Sequence, residues 1–224
     1  MFDEISSTYD LLNNLLSFGL HREWRKRLLE YFPERGNLNL LDLATGTADV
    51  LITLCLGNNK ITNAYGIDMA DKMLEIGRKK VRQYGLHTKI KLQQGDINQT
   101  GFKDDSFDIT TISFGIRNVT DPTKVLAEMH RVLKKEGRAL ILEFSLPKNS
   151  LLRGVHLFYL RNIVPLFGGL ISGHPQAYRY LNQTVESFPY GDEFCRWMFE
   201  AGFKNVKAHP LLFGVASIYE GEKP

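Results

Sequence analysis

Four aspartates, Asp42, Asp49, Asp68 and Asp96, sit where a ligand carrying ribose hydroxyls and a positive charge would be held. The run Leu40-Leu41-Asp42-Leu43-Ala44-Thr45-Gly46-Thr47-Ala48-Asp49 passes from an apolar stretch into a helical one through a single glycine. Gly46, with the small Ala44 and Ala48 near it, lets backbone come close to a ligand. Asp68 lies 22 residues beyond Gly46. At that spacing an acid ending a second strand accepts both hydroxyls of an adenosine ribose; a helix follows at once, so Asp68 equally suits that helix's N-terminus. Asp96, in Gln94-Gly95-Asp96-Ile97, is placed to face an adenine amino group with Ile97 against the ring, and it also fits a plain turn. A dinucleotide fits badly. The pattern G-x-G-x-x-G uses its glycines to admit a pyrophosphate at a helix N-terminus. Here one glycine remains, and Asp42 and Asp49 flank it with charges that repel phosphate. They suit a ligand with a cationic centre and an amino-acid ammonium group, and S-adenosylmethionine is such a ligand.

The elements that must position these residues follow from the apolar pattern. Leu38–Ala44, Asn63–Asp68, Lys89–Gln94, Phe107–Ser113 and Arg138–Phe144 read as strands. Ala48–Leu56, Asp71–Tyr84 and Pro122–Leu133 read as the helices between them. The alternation predicts an α/β, doubly wound, mostly parallel sheet with helices on both faces. Residues 1–35 form an amphipathic helical cap, with Leu11, Leu12, Leu15 and Leu16 at helical spacing and Trp24, Leu28 and Leu29 after them. Residues 148–189 break the rhythm as a helical insertion. A helix over Asp192–Ala201 precedes two edge strands, Asn205–Ala208 and Phe213–Tyr219, joined as a hairpin. The 224 residues thus read as one domain: a cap over 1–36, a core over 37–147, the insertion over 148–189 and a C-terminal part over 190–224.

Composition narrows the function classes. Two cysteines, Cys55 and Cys195, with no CxxC, exclude a disulfide scaffold and a cysteine zinc site, and they fit a reducing cytoplasm. No His/Cys/Asp cluster has metal-ligand spacing. A net charge of +3 is not the footprint of a dedicated nucleic-acid binder. The N-terminus has no secretory signal pattern. No window is apolar enough to span a bilayer; the nearest, Val155 to Ile171, is interrupted by Arg161, Asn162 and Pro165.

DLATGTAD followed by GIDMADKML resembles motifs I and II of class I S-adenosylmethionine-dependent methyltransferases. FDEISSTYDLLNNLLSFGLHREWR, ISFGIRNVTD (112–121), RVLKKEGRALILEFSLP (131–147), AYRYLNQTVESFP and the C-terminal AGFKNVKAHPLLFGVASIYEGEKP narrow the match. Over almost the whole chain they resemble the UbiE/MenG family of menaquinone and ubiquinone C-methyltransferases, and FYLRNIVPLFGGLI looks more like its menaquinone branch. The resemblance implies a Rossmann-like seven-stranded fold. It implies cofactor contacts at Asp42, Ala44, Gly46, Thr47, Asp68, Met69, Asp96, Ile97 and Ser113. Motif I departs in one place: Ala48 stands where a second glycine is usual, its methyl is expected to be tolerated if the turn avoids positive φ, and the resemblance allows alanine there in the menaquinone branch.

The resemblance also implies methyl transfer to a ring carbon of a demethylmenaquinol. The donor is already activated, so the protein positions the partners and stabilises the quinol oxyanion. Arg117 and Asn118, just after the fourth strand, are the candidates: Arg117 for the oxyanion, and a water held by either for the proton, since arginine is a poor base. The alternative for Arg117 is a structural pair with an acid such as Asp121. The six histidines, His21, His87, His130, His156, His174 and His209, read as structural or surface residues. Tyr178, Phe158 and Phe167 are expected to line the quinone pocket, and the insertion to hold a polyprenyl tail. A lipid substrate implies a cytoplasmic protein that visits the inner face of the membrane, with a homodimer possible. The alternatives are a ubiquinone precursor or another small molecule as acceptor, an RNA or protein methyltransferase, a quinone carrier without activity, and an oxidoreductase.

Overall fold

Strand β1 (Leu38–Leu43) is buried along almost its whole length, and β4 (Phe107–Ser113) is buried at every residue. Strands of that kind need both faces covered, which is how a parallel sheet in a doubly wound fold is stabilised. The computed structural model describes residue 17 and residues 19–166 and 182–224. Among these, β2 (Ile61–Asp68), β3 (Ile90–Gln94), β5 (Leu133–Phe144), β6 (Lys204–Leu211) and β7 (Ala216–Glu222) complete a seven-stranded sheet of order β3-β2-β1-β4-β5-β7-β6. The first five strands are parallel, and β7 runs antiparallel to both β5 and β6.

Side chains alternate across the pleat. Leu38 and Leu40 pack on one face with Trp24, Leu28 and Leu54. Leu41 and Leu43 pack on the other with Ile67, Met129 and Phe194. The covering helices are α1 (His21–Arg27), α2 (Asp49–Gly57), α3 (Asp71–Gln83), α4 (Pro122–Val132), α5 (Ser150–Phe158) and α6 (Asp192–Glu200). Helix α4 starts as its sequence dictates: Pro122 opens it, and the Asp121 carboxylate caps it by accepting from the Lys124 amide at 3.3 Å.

Two expectations change. The last two strands are not both edges: β7 lies inside the sheet, where the buried Tyr219 accepts the Gly191 amide at 2.9 Å, and only β6 is an edge. Strand β5 begins five residues before Arg138, because Lys134-Lys135-Glu136-Gly137 continues the strand through Glu136 at φ +60° instead of closing a turn. Leu11, Leu12, Leu15, Leu16, Phe167, His174 and Tyr178 lie outside the described residues.

Candidate active site

The strand order reverses at β1, with β2 on one side and β4 on the other, and ligands in such sheets bind at the carboxyl ends of the strands beside that point. A cavity of about 390 Å³ opens there. One wall comes from the ends of β1, β2 and β3: Ala44, Gly46, Asp68, Met69, Met73, Asp96, Ile97 and Asn98. The other comes from the loop after β4: Phe114, Gly115, Asn118, Val119 and Thr120.

The first wall is wired by carboxylates and backbone. Asp68 accepts the Gly46 amide on Oδ2 at 2.8 Å and the Ala70 amide on Oδ1 at 2.9 Å. The acid that faces the cavity therefore also latches the glycine turn. Asp96 accepts the Asn98 amide at 2.8 Å and its side-chain amide at 2.7 Å, and it stays in the wall while closing its own turn. Thr47 does not line the cavity. Its hydroxyl accepts from Lys80 Nζ at 3.1 Å, and Lys80 also reaches Asp49 at 2.9 Å. Arg25, from α1, meets Asp49 from the other side at 3.3 Å. Burial pushes the Asp49 carboxyl up, but Arg25 and Lys80 outweigh it and hold it below its ordinary value.

Asp42 and Ser113 lie beneath this surface. Asp42 accepts from Thr111 Oγ1 at 2.6 Å, and its Oδ2 is buried without a hydrogen-bond partner. Burial pushes its carboxyl up to about 7, against the Thr111 hydrogen bond and the charge of Arg25. Ser113 Oγ is likewise buried and unpaired.

The turn departs from expectation at one residue. Ala48 has φ +63°, and Ala44 (φ +51°) and Gly46 (φ +54°) share the left-handed region. The condition for tolerating a methyl at Ala48 is not met, so the turn carries strain of about 1 kcal/mol or more.

The second wall is wired differently. Arg117 does not pair with Asp121. Its Nη1 donates to Glu143 Oε1 at 2.5 Å and to the Phe114 carbonyl at 2.9 Å. Its guanidinium also stacks over the Phe144 ring, 5.3 Å from the centroid. Arg117 is 5% exposed and Glu143 1% exposed at the side chain, so this is a buried ion pair behind the wall, not a group in the cavity. Burial raises the Glu143 carboxyl although Arg117 draws it down. Asn118 does line the cavity, and its amide donates to the Phe114 carbonyl at 3.3 Å. Phe114 itself stands at φ +56°.

Phe158 is 62% exposed and turned to solvent, away from this cavity. Sequence pattern does not single out Phe114, Gly115, Val119, Thr120, Met73 and Asn98 of the walls, nor Arg25 and Glu143 behind them. Phe114 and Gly115 stand inside the ISFGIRNVTD segment and Glu143 inside LILEFS, so the segments carried the signal while the pairing did not.

A sequence profile of the ubiE/COQ5 methyltransferase family matches residues 1–223. The chain belongs to that family. It is 42% identical to the ubiquinone/menaquinone biosynthesis C-methyltransferase UbiE of Geotalea daltonii, over 100% of this chain and 94% of that protein. It is 41% identical to the demethylmenaquinone methyltransferase of Thermus thermophilus, over 100% of both chains. Among solved structures, a Thermotoga maritima SAM-dependent methyltransferase (possible histamine N-methyltransferase) superposes with a TM-score of 0.65 at 18% identity, over 100% of this chain and 98% of that one. Phosphoethanolamine N-methyltransferase 2 of Haemonchus contortus, crystallised with S-adenosyl-L-methionine, gives 0.64 at 12% identity, over 88% of this chain and 51% of that one. At those identities the likeness is one of fold.

This methyltransferase takes its methyl group from S-adenosylmethionine. The residues present fit that donor. The cavity falls in the range of roughly 300–1,000 Å³ usual for small-ligand sites. Asp68 and Asp96 face it, Ile97 and Met69 supply apolar surface, and Asn98 Oδ1 is a buried acceptor with no partner. Gly115 is required where the walls approach: a Cβ there would stand 2.8 Å from Ala44 Cβ.

Proposed function

We propose that this methyltransferase C-methylates a quinol, and that the quinol is demethylmenaquinol, giving menaquinol. The observation that carries this reading is the near-full-length similarity to relatives named for quinone methylation. The likeness of FYLRNIVPLFGGLI to the menaquinone branch favours demethylmenaquinol. The donor supplies an electrophilic methyl group. The chain's own residues do the rest. Asp68 takes the ribose hydroxyls while it holds the Gly46 turn, and Asp96 with Ile97 frames the adenine. Asn118 offers its amide N–H to the quinol oxygen as it loses its proton, which raises electron density at the neighbouring ring carbon. Arg117 is shielded behind the wall and works as a positioning residue. Through Glu143 and the Phe114 carbonyl it fixes the loop that carries Asn118. The hydroxyl proton would pass to solvent first; the ring carbon would then bond the methyl as the methyl–sulfur bond breaks and leaves its electron pair on a neutral thioether, the ring C–H proton would follow to solvent, and the oxyanion would take one proton back, for a net release of one proton.

The decisive experiment incubates the protein with S-adenosylmethionine and reduced demethylmenaquinone and identifies the product by mass spectrometry. A product with one added methyl on the ring supports the reading, and no product overturns it. A demethoxyubiquinol-type acceptor run in parallel tests the second reading, which the UbiE naming of several relatives favours. Both acceptors carry polyprenyl tails, so the protein meets them at a bilayer surface. No helix of the described residues is long and apolar enough to cross a membrane.

A further inference from the structure

Asp96, Ile97 and Asn98 of the first wall stand on the segment between β3 and β4, and residues 95–106 form no helix or strand. Wall residues on such a segment keep their geometry only if neighbours fix it. Its start is fixed by backbone: the Gly95 amide donates to the Asp68 carbonyl at 3.1 Å. Within it, the Gln99 amide donates to the Asp96 carbonyl at 3.2 Å. Asp96 Oδ1 accepts both amides of Asn98, which leaves Oδ2 for a ligand. The turn that aims it ends at Thr100, and Thr100 is fixed by a side chain 28 residues away. Glu128 Oε1, from midway along α4, accepts the Thr100 amide at 2.8 Å and the Thr100 hydroxyl at 2.6 Å. The same hydroxyl accepts the Phe102 amide at 3.4 Å. Thr100 and Glu128 are both buried.

Glu128 is itself held. Arg131 donates to both of its oxygens, Nε to Oε2 at 2.8 Å and Nη2 to Oε1 at 2.7 Å. Burial pushes the Glu128 carboxyl up, but Arg131 and Thr100 outweigh it and hold it below its ordinary value. Thr100 therefore meets a charged acceptor, the stronger kind. Helix α4 does not need that acid to pack, since Val125, Leu126, Met129 and Val132 already bury it against the sheet. A buried carboxylate costs free energy unless its bonds repay it, and what Glu128 adds is the tie to Thr100. The same helix serves the other wall, because Thr120 lines the cavity and Asp121 caps α4. One rigid element thus holds the adenine-side segment by Glu128 and the opposite loop by its cap.

We propose that Glu128 is a positioning residue for the donor's nucleobase: through Thr100 it sets the aim of Asp96 and so the selection of an amino-bearing base. The proposal rests on the reading in which Asp96 and Ile97 frame the adenine. Its test is titration calorimetry of the full chain with S-adenosylhomocysteine and with S-inosylhomocysteine, whose base carries a carbonyl oxygen where adenine has its amino group. The parent should prefer the amino base roughly tenfold or more, because the deaminated base sets an oxygen against the carboxylate. Thr100→Val keeps the side-chain shape and removes the hydroxyl. It should cut that preference roughly fivefold, almost all through weaker binding of S-adenosylhomocysteine, and Thr100→Ser should restore it. Glu128→Gln should move the preference the same way by about twofold, since its amide oxygen still accepts from Thr100 without the charge. A Thr100→Val protein that keeps the parent's preference, or that loses both ligands equally, overturns the proposal and leaves Glu128 a brace for the fold alone. Failure of Thr100→Ser to restore the preference does the same. Should Thr100→Val not fold, Glu128→Gln decides on the same terms. A parent that binds both ligands alike overturns the adenine reading itself, and the proposal with it.

Discussion

The loop after β1 and the loop after β4 face each other across one cavity, yet different physics holds them. The first is a mesh of moderate bonds: Asp68 to two amides, Lys80 and Arg25 to Asp49, Thr111 to Asp42. The second has one dominant anchor, the buried ion pair Arg117–Glu143, with Arg117 Nε and Glu143 Oε2 both unpaired, beside weaker bonds to the Phe114 carbonyl. A mesh loses a little when one bond goes. A single buried pair loses nearly everything, because the partner left behind is an unpaired charge in a dry place. The first wall is thus built to adjust, and the second to stay where it is.

The widest gap between the walls is expected at Arg117. Arg117→Ala strands Glu143 and should cost about 3–5 kcal/mol in denaturant unfolding, whereas Arg117→Met with Glu143→Leu should cost far less. Equal losses in the two would remove the contrast. Next comes Asp42. Its folded carboxyl titrates near 7 instead of 3.8, so the charged form is the one folding disfavours. Its contribution is fully present below about pH 4, falls as pH rises to about 7 and is flat beyond, up to about 4 kcal/mol in all. Subtracting the Asp42→Asn stability curve from that of the parent should isolate that slope, and a flat difference would show Asp42 to titrate normally. Smaller again is Asp68→Asn, which weakens the Gly46 latch and, in the proposed function, the ribose contact. Calorimetry should show S-adenosylmethionine affinity down by about 2 kcal/mol, near thirtyfold, with unfolding stability changed by less. The smallest effect is a gain: Ala48→Gly relieves the left-handed alanine and should raise stability by about 1 kcal/mol.

Sequence pattern revealed most of the first wall and little of the second. Asp68 and Asp96 were readable because they close apolar strands, and strand ends at a switch point are where ligands go. The five parallel strands were readable for the same reason, through alternation with helices. Arg117–Glu143 was not. The two residues stand 26 apart, and only the neighbouring of β4 and β5 makes them partners. Asp121, closer in sequence, is used up as the cap of α4. Ala48 was misjudged because residue type does not report φ: the turn imposes the left-handed conformation, and the sequence shows only a small residue. Phe158 is expected at the substrate as part of the apolar insertion, but helical spacing alone does not say which side of α5 meets the core and which meets solvent.

Helix α1 touches both walls through adjacent residues. Trp24 packs on Phe114 at 6.5 Å and on Phe144 at 6.4 Å between ring centroids, and Arg25 reaches Asp49 behind the first wall. A short rod clamped to two jaws at neighbouring points sets how far they can part. The span available to a ligand is then dictated from outside the cavity, by a helix that never enters it, and a change in α1 would retune the gauge of the site without altering a single residue that touches what it holds.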